Sequence, residues 1–227
     1  MRSLAIIPAR GGSKRLKKKN IIDFHGSPII SYTINAALKS GCFDRVVIST
    51  DNQEIFKISS KYHHDVVFRP KALATDKSSV VDVCYDFLRG EFKNNITYDF
   101  LTILYPTAPM RTSKDIVGVY NKLLNGRYSS SLAVTTYSLP VHQALILKDR
   151  YAKKVFPKIY NLREKNVSKY YVDNGSTYST VVKNFTKKKD IITNKLGLYV
   201  MPPERSIDID TAFQLKLARY LYGQTDQ

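Results

Sequence analysis

Short apolar runs alternate along most of this chain with longer stretches of helical periodicity. The runs are only a few residues long, whereas the stretches between them carry apolar residues three and four positions apart. Two parallel strands need a crossover of about a dozen residues or more, which is usually a helix. The alternation therefore predicts an α/β fold with a doubly wound, mostly parallel sheet.

The same pattern locates individual elements. The predicted strands cover residues 4–7, 46–49, 66–68, 100–104 and 132–135. The predicted helices cover residues 29–39, 53–62, 79–89 and 113–124. A last helix is predicted after a cap at Asp210 or Thr211, with Phe213, Leu217 and Leu221 on one of its faces.

The stretch from about residue 138 to residue 190 departs from the alternation. It is rich in Tyr and Lys, and it contains Pro140, Pro157 and strand-like pieces such as residues 176–182. A length of 227 residues suits one domain. We therefore predict a single domain over residues 1–227 with a small inserted subdomain at approximately 138–190, which is a natural place for subunit contacts.

The net charge of +17 has two functional explanations. A basic surface binds nucleic acid, or it attracts anionic small molecules such as nucleotides and sugar acids. No apolar run approaches the ~20 residues that span a bilayer, and the apolar stretch at the N-terminus is too short for a signal peptide. We therefore expect a cytoplasmic protein without a membrane partner.

A loop rich in glycine and lysine follows the first predicted strand. It reads Pro-Ala-Arg-Gly-Gly-Ser-Lys-Arg over residues 8–15 and continues to Lys19 and Asn20. Adjacent glycines let backbone N–H groups approach an anion closely, and the cations complete a phosphate cradle. The spacing is neither that of a Walker A loop nor that of a G-x-G-x-x-G fingerprint. The loop predicts a phosphate site, with an ordinary basic turn as the alternative.

Two aspartates alternate with isoleucines near the end of the chain. In an extended segment this alternation puts Asp208 and Asp210 on one side, and Ile207 and Ile209 on the side of the core. Two carboxylates on one face suit Mg²⁺ (or Mn²⁺), which prefers oxygen ligands. The alternative is that the aspartates cap the last helix.

The loop at residues 8–20 resembles the nucleotide-binding loop of the CMP-sialic acid synthetases, which are also called N-acylneuraminate cytidylyltransferases. Other segments resemble the same family in order along the chain. They are residues 43–51, residues 69–76 with Ser78 and Ser79, the turn Tyr-Pro-Thr-Ala-Pro-Met-Arg at 105–111, Asn174 with Gly175, and Ser-Ile-Asp-Ile-Asp-Thr at 206–211. Ordered matches over almost the whole chain are more specific than any one of them.

The resemblance implies a Rossmann-type fold like that of nucleotide-diphospho-sugar transferases. It also implies a homodimer in which the inserted subdomain of one subunit reaches toward the other's active site. The implied reaction transfers CMP from CTP to the anomeric hydroxyl of a sialic-acid-type nonulosonic acid (an N-acylneuraminate) and releases pyrophosphate. Such an activity belongs to carbohydrate biosynthesis for lipopolysaccharide or capsule.

The resemblance assigns residues to this site one by one. The nucleotide would be bound by Ala9, Arg10, Gly11, Gly12, Ser13, Lys14, Lys19, Asn20, Arg69, Ser78 and Ser79. Catalysis would depend on Arg10, Lys14, Lys19, Asp208 and Asp210, and the two aspartates would hold the metal. The sugar would be bound by Tyr105, Thr107, Asp173, Asn174 and Gly175.

Two positions of the expected sugar site depart from the family. Tyr105 stands where typical sialic-acid enzymes have glutamine, and Val172 and Asp173 stand where they often have arginine and proline. These changes alter which sugar is accepted, so pseudaminic acid and legionaminic acid are alternatives. A 3-deoxy-manno-octulosonate cytidylyltransferase is a further enzyme alternative that fits residues 206–211 less well. The alternative from another class is a basic nucleic-acid-binding module, although the sequence carries no helix-turn-helix, RRM or OB signature.

Overall fold

The computed structural model of the protein describes residues 1–75 and 77–225. Asp76, with which the family-like segment at residues 69–76 ends, lies outside the described residues. Within the described ranges the chain folds around a central sheet of seven strands. None of the helices found in these ranges is long and apolar enough to pass through a membrane.

The strands and helices follow the predicted alternation. The strands are β1 (Ser3–Ala9), β2 (Asp23–Phe24), β3 (Ser27–Pro28), β4 (Arg45–Thr50), β5 (Val66–Phe68), β6 (Phe100–Leu104), β7 (Ser130–Thr136), β8 (Leu145–Lys148), β9 (Tyr151–Lys154), β10 (Tyr171–Val181) and β11 (Leu196–Val200). The helices are α1 (Ile29–Ser40), α2 (Gln53–Ser59), α3 (Val80–Lys93), α4 (Ser113–Leu124), α5 (Val182–Lys188) and α6 (Ala212–Thr225). Each predicted strand and helix is present, whereas the sequence pattern does not locate β2, β3, β8, β9, α5 or β11.

Two predicted helix boundaries differ from the structure. Ser79 is the N-cap of α3 rather than its first residue, because its hydroxyl accepts from the Asp82 N–H in a capping box. The helix predicted to reach residue 62 ends at Ser59, since Tyr62 bonds back to the Ser59 carbonyl in a tighter turn. Both differences are confined to helix ends, which sequence patterns locate least precisely.

The central sheet has the strand order β11-β7-β10-β6-β1-β4-β5. The pairs among β6, β1, β4 and β5 are parallel, and β11 is parallel to β7. Only β10 runs against its neighbours, since it pairs antiparallel with both β6 and β7. The prediction of a mostly parallel sheet is therefore confirmed.

Helices cover both faces of this sheet, because successive residues of a strand point to opposite sides. Ala5, Ile7 and Ala9 of β1 pack in one apolar cluster with residues of α1, α2 and α4. Leu4 and Ile6 pack in a second cluster with residues of α3 and α5. This two-sided packing confirms the doubly wound arrangement.

Part of the stretch between β7 and β10 protrudes from the sheet. β8 and β9 pair in an antiparallel hairpin, and every residue of the two strands is exposed. By contrast, β10 and α5 belong to the central sheet and to the layer beside it, although they fall within the range 138–190. The segment outside the central sheet runs from residue 137 to residue 170.

The cap of α6 is Thr211. Its hydroxyl accepts from the Gln214 N–H at 3.3 Å, and the Gln214 side-chain oxygen accepts from the Thr211 N–H at 2.9 Å. This reciprocal pair is a capping box. Thr211 therefore caps the helix, which leaves the side chain of Asp210 available to other partners.

The predicted apolar face of α6 is not the face that is fully buried. Phe213 and Leu217 are exposed, whereas Leu215 and Ala218 are buried in an apolar cluster that Leu221 joins. Phe213 and Leu217 therefore contribute little to the core of the described chain.

Candidate active site

The carboxyl ends of β1, β4, β5 and β6 lie at one edge of the sheet, where parallel sheets bind their ligands. The glycine-rich loop follows β1, Asp51 follows β4, Arg69 follows β5 and Tyr105 follows β6. This edge therefore carries many of the residues that the sequence assigns to a site.

The glycine-rich loop is fixed against the end of β4. Gly11 donates its N–H to Asp51 Oδ1 at 2.9 Å, and Asn20 donates its side-chain N–H to the Arg10 carbonyl at 2.8 Å. A Cβ at Gly11 would lie 2.8 Å from the Cβ of Asn52. Glycine is therefore needed at this position for the close approach of the loop to the residues after β4.

Asp210 is paired with two cations of this loop. Arg15 Nη2 lies 2.5 Å from Asp210 Oδ2, and Lys19 Nζ lies 2.6 Å from Asp210 Oδ1. Burial raises the pKa of Asp210, but the hydrogen bond and charge of Lys19 together with the charge of Arg15 outweigh it, so that the pKa is lowered. Asp210 is therefore ionised at neutral pH and forms part of the site.

Asp208 lies on the same side of its segment as Asp210. The side chain of Ile209 between them is fully buried, and both aspartates line one cavity. Thr107 Oγ1 donates to Asp208 Oδ1 at 2.5 Å, and the Thr107 carbonyl accepts from the Ile209 N–H at 2.9 Å. Burial raises the pKa of Asp208. Ile209 therefore lies on the core side as predicted, whereas Ile207 is only half-buried and lines the same cavity as the two aspartates.

The two carboxylates form an oxygen donor set that fits Mg²⁺ or Mn²⁺. Gly175, at φ +66°, makes room for one of them, because a Cβ there would lie 2.7 Å from Asp208 Oδ2. Over residues 1–75 and 77–225, Asp208 and Asp210 belong to no larger group of His, Cys, Asp or Glu. Such a pair leaves coordination positions for water and for substrate oxygens.

A first cavity of about 280 Å³ opens between the glycine-rich loop, the start of α3 and the turn after β6. The assigned residues that line it are Arg10, Ser13, Lys14, Lys19, Asn20, Arg69, Ser78, Ser79, Tyr105, Thr107 and Asp210. The assigned residues Ala9, Gly11 and Gly12 are not among them, and the side chain of Ala9 is buried in the core. The first cavity thus brings together residues from four separate segments of the chain.

Arg69 lines this cavity and has a buried side-chain donor without a hydrogen-bond partner among the described residues. Its backbone N–H donates to the Thr50 carbonyl at 2.8 Å, and its Nη2 donates to the Ser49 carbonyl. Its buried Nε–H has no hydrogen-bond partner among the described residues. Burial also lowers the pKa of Arg69. A buried cation with an unsatisfied donor is suited to a polar or anionic ligand.

A second cavity of about 550 Å³ adjoins the first at Asp210, which lines both. It is lined by the assigned residues Asp173, Asn174, Gly175 and Asp208, together with Tyr178. The rings of Tyr105 in the first cavity and Tyr178 in the second meet edge to face, with their centroids 5.6 Å apart. The two cavities therefore share a boundary made of a carboxylate and an aromatic pair.

The residues at the wall of the second cavity differ in their partners. Tyr178 Oη donates to both carboxylate oxygens of Asp173 at 2.8 Å. The Asn174 amide is buried, donating to Ser206 Oγ at 3.1 Å and accepting from the Ser176 N–H at 3.2 Å. Asp173 is therefore an oriented acceptor, whereas Asn174 shapes the irregular part of β10.

Several residues that line these cavities are outside the assigned set, among them Arg15, Thr75 and Tyr178. Arg15 and Thr75 belong to segments that carry the family resemblance, so their positions in the sequence indicate them as candidate site residues. Tyr178 reaches Asp173 because the register of β10 against β7 shifts between the two residues. Residue types and spacing do not reveal such a shift.

The chain matches the family described as cytidylyltransferase over residues 4–224, a range that includes the glycine-rich loop and both aspartates. It is 36% identical over 224 residues to the pseudaminic acid cytidylyltransferase of Campylobacter jejuni, and this alignment covers 98% of this chain and 97% of that protein. It is 32% identical over 218 residues to the N-acylneuraminate cytidylyltransferase of Escherichia coli, and this alignment covers 95% of this chain and 51% of that protein.

A solved structure has a similar fold. It is a CMP:2-keto-3-deoxy-manno-octonic acid synthetase complexed with CTP, with a TM-score of 0.72 and coverage of 99% of this chain and 100% of that chain. The two sequences are 17% identical, so the similarity concerns the fold. It confirms the predicted Rossmann-type architecture.

Replacing Lys19 by methionine should raise the pKa of Asp210. The substitution keeps the length of the side chain and removes the cation that donates to Asp210 Oδ1. The increase in the Asp210 pKa caused by burial is then offset less strongly. The measurement is a pH titration of the carboxyl carbon resonances by NMR. Lys18→Met is the matched control, because Lys18 pairs with Glu54 at the surface. An Asp210 pKa that is the same in both variants and in the wild type would refute the pairing.

Proposed function

Because the chain belongs to the cytidylyltransferase family, we propose that it transfers CMP from CTP to the anomeric hydroxyl of a nine-carbon sugar acid and releases pyrophosphate. The observation that carries this proposal is the meeting of two cavities at Asp210. The first cavity offers cations for a triphosphate, and the second offers hydrogen-bonding groups for a sugar. Joining two ligands requires that their reacting atoms come together at one boundary.

The first cavity suits CTP by its charge. Arg10, Lys14 and Lys19 line it on the side of the loop, and Arg69 adds a buried donor. Ser79 brings the N-terminus of α3 to the same cavity, where the helix dipole favours negative charge. Cations around the phosphates stabilise the charge that develops on the departing pyrophosphate.

Asp208 and Asp210 are the residues suited to hold Mg²⁺ (or Mn²⁺) beside the triphosphate. When bound, the ion would neutralise charge on the phosphate oxygens and on the leaving pyrophosphate. Thr107 holds Asp208 in place by its hydrogen bond. Lys19 contacts Asp210 and also lines the first cavity, so rotation of its side chain can bring it to a phosphate oxygen.

The residues of the site position the reactants and do not form a covalent intermediate in this scheme. The anomeric oxygen bonds to the α-phosphorus while the bond from that phosphorus to the pyrophosphate oxygen breaks, and the hydroxyl proton is released. Cys84 does not serve as a nucleophile, because it is fully buried and burial raises the pKa of its thiol to about 12. Positioning and charge stabilisation supply the acceleration.

We propose pseudaminic acid as the sugar, with N-acylneuraminate as the second candidate. The Campylobacter relative named for pseudaminic acid aligns over nearly its whole length, whereas the E. coli relative aligns over about half of its length. Burial raises the pKa of Tyr105 to about 12, so its ring stays neutral and forms an apolar wall with Tyr178. Such a wall suits a deoxygenated carbon, and the Asp173 carboxylate suits the N–H of an acylamino group.

The release of pyrophosphate from CTP with a panel of sugar acids tests this proposal. The panel contains pseudaminic, legionaminic, N-acetylneuraminic and 3-deoxy-manno-octulosonic acid. We expect kcat/KM for pseudaminic acid to exceed that for N-acetylneuraminic acid by about tenfold or more, which one pocket can achieve. Exclusive use of N-acetylneuraminic acid would refute the choice of sugar. Absence of pyrophosphate with every sugar would refute the proposed function.

A homodimer formed through the protruding segment at residues 137–170 is also proposed. Within this segment, Leu139, Leu147 and Tyr151 are 77%, 75% and 75% exposed. A two-stranded hairpin is at best marginally stable alone, and large exposed apolar side chains concentrated in one segment are typical of an interaction site. A second copy of the chain that covers this segment explains the exposure, in agreement with the family resemblance.

Replacing Leu147 by aspartate should shift the protein from dimer to monomer, because the charge would lie in an apolar interface. Sedimentation velocity at several concentrations measures the mass of the particle. Phe92→Asp is the matched control, since Phe92 is 70% exposed on α3, outside this segment. A wild-type protein that sediments as a monomer at micromolar concentration would refute the dimer.

A further inference from the structure

Arg111 is a buried arginine that the proposed mechanism does not use. It precedes Thr112, the N-cap of α4, and only 2% of its surface is exposed. Buried arginines usually pair with a carboxylate. The nearby Asp115 is instead hydrogen-bonded by Arg205 and Thr112, and Arg111 has no carboxylate as a hydrogen-bond partner within the described ranges. The guanidinium of Arg111 therefore donates its hydrogen bonds to groups other than carboxylates.

The hydrogen bonds of Arg111 join three elements of the fold. Its Nη1 donates to the Ser176 carbonyl at 2.7 Å and to the Tyr105 carbonyl at 3.3 Å, and its Nη2 donates to Thr33 Oγ1 at 2.7 Å. Thr33 in turn donates to the Tyr105 carbonyl at 3.3 Å, and the Tyr105 N–H donates to the Ser176 carbonyl at 3.0 Å. The residue after β6, the irregular part of β10 and α1 thus converge on one guanidinium.

Both carbonyls belong to segments that form the boundary between the cavities. Tyr105 lines the first cavity. Ser176 lies in the stretch of β10 where the register shifts between Asp173 and Tyr178, which line the second cavity. Burial lowers the pKa of Arg111 to about 9, so the fold holds this charge in place against a desolvation penalty. Arg111 therefore joins segments that lie on the two sides of the boundary between the cavities.

We propose that Arg111 is a positioning residue that sets the spacing of the first and second cavities by fixing the Tyr105 and Ser176 carbonyls relative to α1. This inference rests on the proposed function, because the spacing matters where CTP and the sugar react across the boundary. A misplacement of reacting groups by about 1 Å lowers a rate by about 10²-fold. Arg111 does not line the first cavity, so CTP affinity should not depend on it.

Two variants weaken this tie to different extents. Thr33→Val removes one acceptor of the guanidinium and keeps the shape of the side chain, so it is expected to fold. Arg111→Lys keeps the charge but cannot donate in several fixed directions. The matched control is Ser131→Ala. Ser131 lies in β7 of the same sheet, outside both cavities, and its buried hydroxyl donates to the Val119 carbonyl of α4 at 2.8 Å.

Steady-state kinetics with the sugar that the wild type prefers provide the first readout. We expect kcat to fall about tenfold in Thr33→Val and about hundredfold in Arg111→Lys, while the Kd for CTP measured by calorimetry stays within about twofold. Ser131→Ala should lose melting temperature and keep its kcat. A kcat for Thr33→Val that falls no further than that of Ser131→Ala would overturn the positioning role.

Hydrogen exchange measured by mass spectrometry gives a readout that does not need the reaction. We expect peptides that cover residues 104–111 and 172–178 to lose protection in Thr33→Val and to keep it in Ser131→Ala. Unchanged protection in Thr33→Val would overturn the inference. If Thr33→Val loses protection but the wild type never releases pyrophosphate, the hydrogen-bonding role of Arg111 would be supported and the proposed function refuted. A failure of the inference can therefore be distinguished from a failure of the proposed function.

Discussion

The hydrogen bonds from Arg15 and Lys19 to Asp210 join parts of the chain that lie 195 and 191 residues apart. Thr107 makes a second link to the acidic segment, since it donates to Asp208 and accepts from the backbone of Ile209. These contacts hold two carboxylates and two cations together at the carboxyl edge of the sheet. Charge that is preorganised in this way stabilises a reacting triphosphate with little rearrangement of the protein beyond rotation of the Lys19 side chain.

Much of the fold could be predicted because its elements carry local signals. β1 and β6 are buried along their whole length and read as apolar runs, and Ser79 and Thr112 mark the starts of α3 and α4 by capping boxes. The sequence pattern predicts β10 less completely, because buried residues of this strand in the middle of the sheet are polar. Ser179 is fully buried there, where its hydroxyl lies 2.7 Å from that of Thr102 on β6.

The candidate site could be predicted where a motif follows a strand, as for the glycine-rich loop, and where residues alternate, as for the two aspartates. It could not be predicted where distant segments meet. Tyr178 reaches Asp173 because the register of β10 is irregular. The groups that accept from Arg111 include backbone carbonyls, which every residue has, so the sequence does not identify them. The boundary between the cavities therefore becomes visible only in three dimensions.

The central claim is that the two aspartates and the glycine-rich loop bind CTP together with a divalent ion. Calorimetric titration of CTP with and without Mg²⁺, on the wild type and on Asp210→Asn, tests it most directly. We expect Mg²⁺ to tighten CTP binding to the wild type by about tenfold or more, equivalent to about 1.4 kcal/mol, and Asp210→Asn to lose this gain. An equal gain in both proteins would contradict a role of Asp210 in binding the ion.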